Sequence, residues 1–297
     1  MKQITIYIVF ALVLLLGGCA GTPGETTAQS TEPTLGETTA QSTEPTPVSA
    51  TLKLYCFQAG KADAFLLWNE AGAVLIDTGE SGFGKTILAK LEELGIERLD
   101  WLILTHFDKD HVGGAKKLLS ELPVGCVLQS NCPKPGAEAY EKYCKALEER
   151  NISPVTLREP LSFQLGDAVF LVDPPARETY PEDPSNNSSL IVTVNHGEKR
   201  LVFLGDAESA RLTEYLAQDP PPCDFLKVPY HGHWQPVLTE LLEKLHPASA
   251  VITSSDEEPE DEETLALLRQ QGTEILLTRN APVQLTSDGR ALTITQS

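Results

Sequence analysis

Leu104-Thr105-His106-Phe107-Asp108-Lys109-Asp110-His111-Val112-Gly113-Gly114 is the stretch on which the reading of this chain turns. An apolar run, Trp101–Thr105, leads into it and has the length and residue type of a buried strand. The polar cluster therefore sits at a strand end, where a loop can turn its side chains towards one point. Two imidazoles and two carboxylates fall within six residues. Imidazole nitrogen and carboxylate oxygen bind Zn²⁺ at about 2.0–2.2 Å, and ligands this dense in one loop can serve two adjacent ions. A solvated turn with helix-capping aspartates would account for Asp108 and Asp110, but not for the histidines that flank them.

Outward from this point the chain alternates short apolar runs with amphipathic segments. Strands are expected at 52–57, 64–68, 73–77, 101–105 and 125–129, with helices at 84–94, 113–122 and 136–149. The second half repeats the style, with strands near 168–173, 189–195, 200–204, 224–228, 248–253, 275–278 and 291–295 and helices near 208–217, 235–245 and 261–271. Such a mixture predicts sheets covered by helices, a mixed α/β domain over 51–297 with no internal boundary.

Ahead of that domain, residues 1–19 carry one lysine, an apolar run from Ile4 to Leu16, and small residues ending in Cys19. The run is shorter than the roughly 20 residues of a membrane-spanning helix and has the layout of a secretory signal. Leu16-Gly17-Gly18-Cys19 resembles the bacterial lipobox, which implies a lipidated Cys19 and a domain tethered to the outer face of the cell membrane. An uncleaved anchor helix would give the same placement. The segment GETTAQSTEPT occurs at 24–34 and again at 36–46. Its composition cannot bury enough apolar surface to offset chain entropy, so 20–50 reads as a flexible stalk.

The chain holds 23 basic and 42 acidic residues, a formal charge of −19. Taking away Lys2 and the four stalk glutamates leaves 22 basic and 38 acidic residues in the domain, a charge near −16. Tight duplex binding rests on lysines and arginines, so the acidity argues against it even if nucleic acid is a substrate. Six cysteines are too few for a disulfide scaffold. Cys126 and Cys132 read either as a bridge or as two free thiols.

The quoted loop resembles the H-x-H-x-D-H motif of the metallo-β-lactamase superfamily, in its H-x-D-x-D-H variant. Five other segments follow in that family's order. Phe57–Ala64 is similar to the V-G-Q-G-D-A opening of the branch that includes the extracytoplasmic domain of the DNA-uptake protein ComEC. Leu75–Gly79 matches L-I-D-T-G, Asn186–Leu190 resembles N-N-x-S-L, Phe203–Asp206 resembles F-L-x-G-D, and Leu226–Gly232 is similar to L-K-V-x-H-H-G. The resemblance implies a four-layer αβ/βα sandwich with a two-metal site between its sheets, filled by Zn²⁺ or Mn²⁺. It further implies that His106 and Asp108 hold a first ion, that Asp110, His111 and His231 hold a second, and that Asp206 lies between them. Asp77 would support these ligands by hydrogen bonding, while Asp63 reads as the cap of a turn. Taken alone, Asp206 also reads as the cap of the helix expected near Ser209.

Two departures stand out. Many of the hydrolases carry a third histidine on the first ion; here His196 falls in what reads as a hairpin turn, and Asn187 or Asn186 is expected to orient water or phosphate instead. Tyr230 stands where the branch has a first histidine and His233 where it has serine; both read either as proton donors to a leaving oxygen or as surface residues. Two ions about 3.5–4 Å apart can bridge a hydroxide and clamp a phosphoryl centre. With Asp110, Asn187 and His233 as catalytic candidates, the resemblance implies a hydrolase of phosphodiesters, or of another small ester such as a lactone or lactam. A catalytically silent binding lipoprotein with the same fold is the alternative from a different class.

Overall fold

The computed structural model describes residues 50–297; the signal segment, Cys19 and almost all of the stalk lie outside the described residues. Fifteen strands, seven α-helices and two short 3-10 turns, at Asn186–Ser188 and Pro229–Gly232, are seen among the described residues. The first half holds β1 (Leu52–Cys56), β2 (Phe65–Asn69), β3 (Gly72–Ile76), α1 (Gly84–Glu93), β4 (Leu99–Leu104), α2 (Lys109–Val112), α3 (Ala115–Glu121), β5 (Val124–Gln129), α4 (Glu138–Glu149) and β6 (Val155–Thr156). The second holds β7 (Leu161–Leu165), β8 (Ala168–Asp173), β9 (Ile191–His196), β10 (Lys199–Phe203), α5 (Ser209–Leu216), β11 (Phe225–Lys227), α6 (Leu238–Leu245), β12 (Ser249–Ile252), α7 (Glu262–Gln270), β13 (Glu274–Leu277), β14 (Val283–Ser287) and β15 (Leu292–Gln296). Strands β6, β7 and β14 have no counterpart among the sequence expectations.

One sheet has eight strands in the order β15-β14-β1-β2-β3-β4-β5-β6, the other seven in the order β13-β12-β11-β10-β9-β8-β7. Each is antiparallel on one side and parallel on the other, β3 to β6 in the first and β10 to β13 in the second. Side chains alternate between faces along a strand, and both faces are covered here. In β3, Val74 and Ile76 enter the core between the sheets while Ala73 and Leu75 pack beneath the helices outside. In β10, Leu201 and Phe203 face inward and Val202 faces the outer helices. Burial on both faces is why these strands read as unbroken apolar runs. Helices α1, α3 and α4 cover the first sheet and α5, α6 and α7 the second, which gives the four layers αβ/βα.

This architecture collects polar residues at one edge. The pairings Ile76↔Ile103 and Phe203↔Lys227↔Val251 end the parallel strands flush. Phe65↔Ile76 sets the start of β2 beside the end of β3. Asp63, Asp77, His106, Asp206, His231 and Thr253 therefore emerge from the same end of the two sheets, the end at which parallel α/β sheets bind ligands.

Candidate metal centre

The loop that follows β4 is held down along its length. Asp63 N donates to Asp110 O (3.1 Å), Thr78 N to His111 O (2.7 Å) and Gly114 N to Gly79 O (3.2 Å). A Cβ on Gly113 would lie 2.2 Å from Lys109 O, and one on Gly114 would lie 2.3 Å from Thr78 O. The double glycine thus lets the loop lie against the turn after β3.

Within this clamp, Asp77 takes a left-handed backbone conformation (φ 56°) and spends its carboxylate on the loop. Thr105 donates from its N and its Oγ1 to Asp77, at 2.8 and 2.6 Å, and His111 Nδ1 lies 2.8 Å from Asp77 Oδ2. The supporting role expected of Asp77 is what the geometry shows. Across the cleft, His231 Nδ1 lies 2.9 Å from Thr253 O. The Asp77 carboxylate and the Thr253 carbonyl accept, and the threonine hydroxyls also near these Nδ1 atoms donate to Asp77 and Asp63, so each ring places its N–H at Nδ1 and turns the lone pair of Nε2 to the cleft. His106 Nδ1 meets hydroxyls instead, Thr105 Oγ1 at 3.2 Å and Ser189 Oγ at 3.4 Å.

All three Nε2 atoms are buried and make no hydrogen bond. Asp206 Oδ2 stands 3.2 Å from Nε2 of His111 and 2.9 Å from Nε2 of His231, and Asp110 Oδ2 lies 3.6 Å from the latter. A nitrogen lone pair facing a carboxylate oxygen at that distance is repulsive unless a proton or a cation lies between them. Burial opposes charge on His111 and on His231, yet the surrounding carboxylates, Asp206 first, lift both above the ordinary imidazole range. Burial likewise opposes ionisation of Asp206, but His231, His111 and Lys227 hold it well below the usual carboxylate value. His106 differs: burial and the neighbouring His111 push its pKa down. An anionic pocket with orphaned imidazole nitrogens fits a divalent cation, and Asp110, His111, Asp206 and His231 are the residues that would hold it.

Asp63, His111, Asp206 and His231 each offer a ligand atom within 4.8 Å of the others. Asp63 nonetheless approaches the imidazoles from behind, 3.9 Å from Nδ1 of His111 and 3.7 Å from Nδ1 of His231. Its oxygens are engaged by Thr253 Oγ1 (2.7 Å) and Lys227 Nζ (2.6 Å). It backs the ligands rather than facing the cleft, and it is not the turn cap that the sequence suggested. Lys227, fully buried, also reaches Asp206 Oδ1 (3.2 Å) and Gly205 O (2.8 Å). A lysine inside an otherwise apolar strand was the available signal for this role.

The remaining candidates fall into place unevenly. His106 Nε2 lies 3.8 Å from Asp108 Oδ1, so the pair expected for a first ion is together. Asp108 Oδ1 is already claimed by Lys134 Nζ (2.6 Å) and by Ser185 Oγ, a partnership with no sequence signal. Asp206 does not cap a helix, because α5 begins at Ser209 and Asp206 faces the histidines. Asn187 is a correction. It is buried, its Nδ2 donates to Glu182 O (3.0 Å) and its Oδ1 accepts from Arg211 N (3.0 Å), so the amide is anchored at both ends away from the cleft mouth instead of standing open to water or phosphate. Asn186 Nδ2 donates to Glu208 (2.7 Å). His196 ends β9 and bonds Ser287 Oγ (2.8 Å), away from the cleft. Tyr230 and His233 pack ring to ring at 4.9 Å on the rim, and His233 Nδ1 lies 3.6 Å from Asp261. Cys126 and Cys132 are free thiols, as are Cys56, Cys144 and Cys223.

The metallo-beta-lactamase superfamily pattern matches residues 58–253. The chain belongs to that superfamily. ComE operon protein 3 of Bacillus subtilis is 30% identical over 210 residues, 63% of this chain and 26% of that protein. Recombination protein 2 of Haemophilus influenzae is 28% identical over 209 residues, 69% of this chain and 24% of that protein. These relatives support the ComEC-like branch, and the chain spans about a quarter of their length. Among solved structures, the metallo-beta-lactamase fold protein YhfI from Bacillus subtilis superposes with a TM-score of 0.51 at 11% identity, covering 76% of this chain and 96% of that one. That likeness bears on the fold alone. No helix among the described residues is long and apolar enough to cross a membrane.

Proposed function

We propose that this protein is a metal-dependent phosphodiesterase, lipid-anchored at Cys19 on the outer face of the bacterial membrane. The observation that carries the reading is the convergence of the Nε2 atoms of His111 and His231, which make no hydrogen bond, with the carboxylates of Asp206 and Asp110 at one sheet edge, beside the equally orphaned Nε2 of His106. A divalent ion held there, Zn²⁺ or Mn²⁺, would supply Lewis acidity towards a phosphoryl or acyl oxygen and a water acidic enough to react at neutral pH. The chain's own residues supply the rest. Asp77 and Thr253 fix the imidazole rings, Lys227 holds Asp63 and Asp206 in place, and Asp110, the least buried of the four cluster residues, faces the mouth.

Lys61 stands over the Tyr230 ring at 5.9 Å, and Tyr230 in turn packs on His233. A cation at the mouth, its Nζ also 3.6 Å from Glu258, suits an anionic substrate, which a phosphodiester is by its own reacting group. The motif resemblance to the ComEC-like branch implies the same choice, while the charge near −16 favours short or small phosphodiesters over tightly held duplex. Parallel assays on bis-p-nitrophenyl phosphate and nitrocefin, with Mn²⁺ or Zn²⁺ added back to stripped protein, test it. Metal-dependent turnover of the diester without turnover of the lactam is expected; the reverse overturns the reading, and inactivity on both with no ion bound would mark a silent binding module.

A further inference from the structure

The two halves of the expected two-ion site are not equally built. Asp110, His111, Asp206 and His231 converge, with their donor atoms linked through Asp206 Oδ2. The other half has only two donors of its own, His106 Nε2 and Asp108 Oδ1, 3.8 Å apart; Asp206, expected between the two ions, already turns Oδ2 to His111 and His231 and Oδ1 to Lys227 Nζ (3.2 Å). Zinc is almost always held by three or four protein ligands, and the side chain that might have extended this pair, Asn187, is spent on Glu182 O and Arg211 N.

A cation already stands at that half. Lys134 Nζ lies 2.6 Å from Asp108 Oδ1 and 3.1 Å from Ser185 Oγ, and Ser185 Oγ also bonds Asp108. The ammonium, on a side chain 39% exposed, therefore has two oxygen partners and lies on the one carboxylate that a first ion would need for itself. Charge points the same way. Asp63, Asp77, Asp108, Asp110 and Asp206 set five carboxylates against the ammonium groups of Lys134 and Lys227, an excess of three that one divalent ion cuts to one.

We propose that Lys134 takes the place of the first ion: its ammonium neutralises Asp108, and the chain binds a single divalent ion tightly, at Asp110, His111, Asp206 and His231. This rests on the reading of that cluster as a metal centre, but not on what the enzyme hydrolyses. A second ion must displace the ammonium and gains only His106 and Asp108 beyond an Asp206 it has to share, so it binds weakly or not at all. Lys134 thereby sets the metal stoichiometry.

The test is calorimetric titration of the metal-stripped full chain with Mn²⁺ and with Zn²⁺, alongside elemental analysis after dialysis, on wild type, Lys134→Met and Lys134→Arg. One ion per chain is expected for wild type and for Lys134→Arg, which keeps the charge. Lys134→Met should gain a second site, with affinity raised roughly tenfold or more, since removing a like charge at contact distance is worth at least that much. Thermal melts identify any variant that has merely failed to fold, and Lys134→Ala then replaces it. Two ions bound with similar affinity by wild type would overturn the proposal and leave the metal centre standing. A single ion in both Lys134→Met and Lys134→Ala would overturn it too. No ion bound by wild type would sink the metal reading and this proposal together, whatever the activity assays show.

Discussion

Asp77 and His111 come from different strand ends and meet at 2.8 Å, carboxylate Oδ2 to imidazole Nδ1, with both side chains fully buried. That contact sets which nitrogen of His111 faces the cleft. Partners of this kind, behind a metal ligand, typically change affinity by 10–100-fold when removed. Asp77→Asn keeps a residue type that tolerates the left-handed backbone. It should lower Mn²⁺ or Zn²⁺ affinity by about that factor in calorimetric titration, with a near-wild-type circular dichroism spectrum. Unchanged affinity would show that the ring needs no such anchor.

Asp206 shares one oxygen between two imidazoles, so its loss removes a ligand and the charge that holds His111 and His231 together. Lewis-acid stabilisation of a transition state is worth several kcal/mol. Asp206→Ala should therefore cut kcat/KM on bis-p-nitrophenyl phosphate by roughly a thousandfold or more. It should also lose the rise in Tm that Mn²⁺ or Zn²⁺ gives the wild type through linkage. Full activity in Asp206→Ala would remove the cluster from the mechanism.

Arg211 and Asn187 make a bracket beside the cleft rather than a part of the chemistry. The Arg211 guanidinium is fully buried, with Nη2 at 2.6 Å from Asp173 Oδ2 and Nε donating to Ser189 O. Breaking a buried pair by removing one partner costs about 3–5 kcal/mol, so Arg211→Met should lower stability by that order in urea unfolding. Asn187→Ala leaves Arg211 N and Glu182 O without their amide partner and should cost about 1–3 kcal/mol. Its kcat per folded molecule should fall less than tenfold, about 1.4 kcal/mol of barrier. A collapse of kcat at wild-type stability would restore the catalytic role first expected of Asn187.

The sequence made the fold legible where burial leaves a pattern. The runs Ala73–Ile76 and Leu201–Leu204 are continuous because both strand faces are covered, and the ends of those runs marked Asp77 and Asp206 as edge residues. Strands β7 and β14 alternate core with outward residues just as the expected β1 and β15 do, so their signal was present in the sequence although it forms no continuous apolar run. Within the site, a dense local motif such as His106–His111 could be read directly. Partnerships that depend on distant loops could not: Lys134 reaches Asp108 from the turn after β5, and Asp63 meets Lys227 and Thr253 across more than a hundred residues. Asn187 misled because a motif position carries residue identity but not the direction of its amide.

Cysteine chemistry should follow burial. The thiol of Cys223 is pushed up to about 12 by burial and by Asp224 beside it, and burial with the Asp63 charge lifts Cys56 well above the ordinary thiol value. Thiolate is the reactive form. At pH 8 the native protein should show Cys223 and Cys56 inert to iodoacetamide while Cys126, Cys132 and Cys144, all partly exposed, react slowly. Peptide mapping after alkylation, with and without denaturant, reads this out, and rapid native labelling of Cys223 would contradict its burial.

The turn that carries His231 is the most strained backbone at the site. Tyr230 (φ 47°) and His231 (φ 52°) are consecutive left-handed residues, followed by Gly232 at φ +81°. Such conformations cost of order 1–3 kcal/mol each in side-chain-bearing residues, and persist where the surroundings over-determine them. Here the determinants are the His231 bond to Thr253 O and the bond from Asp261 N to Gly232 O (3.2 Å). A Cβ on Gly232 would lie 2.9 Å from Glu260 Cβ and 2.9 Å from Ile252 Cγ2, both on packed segments with little room to yield. Gly232→Ala must therefore move the turn, and the shift falls on the neighbouring His231. Stability should drop by about 1–3 kcal/mol. Ion affinity should drop further, because a ligand displaced by even half an ångström no longer meets its partners. Titration of the stripped variant with Mn²⁺ checks this: weak binding in a folded protein is expected, and wild-type affinity would mean that the turn yields without carrying His231 with it.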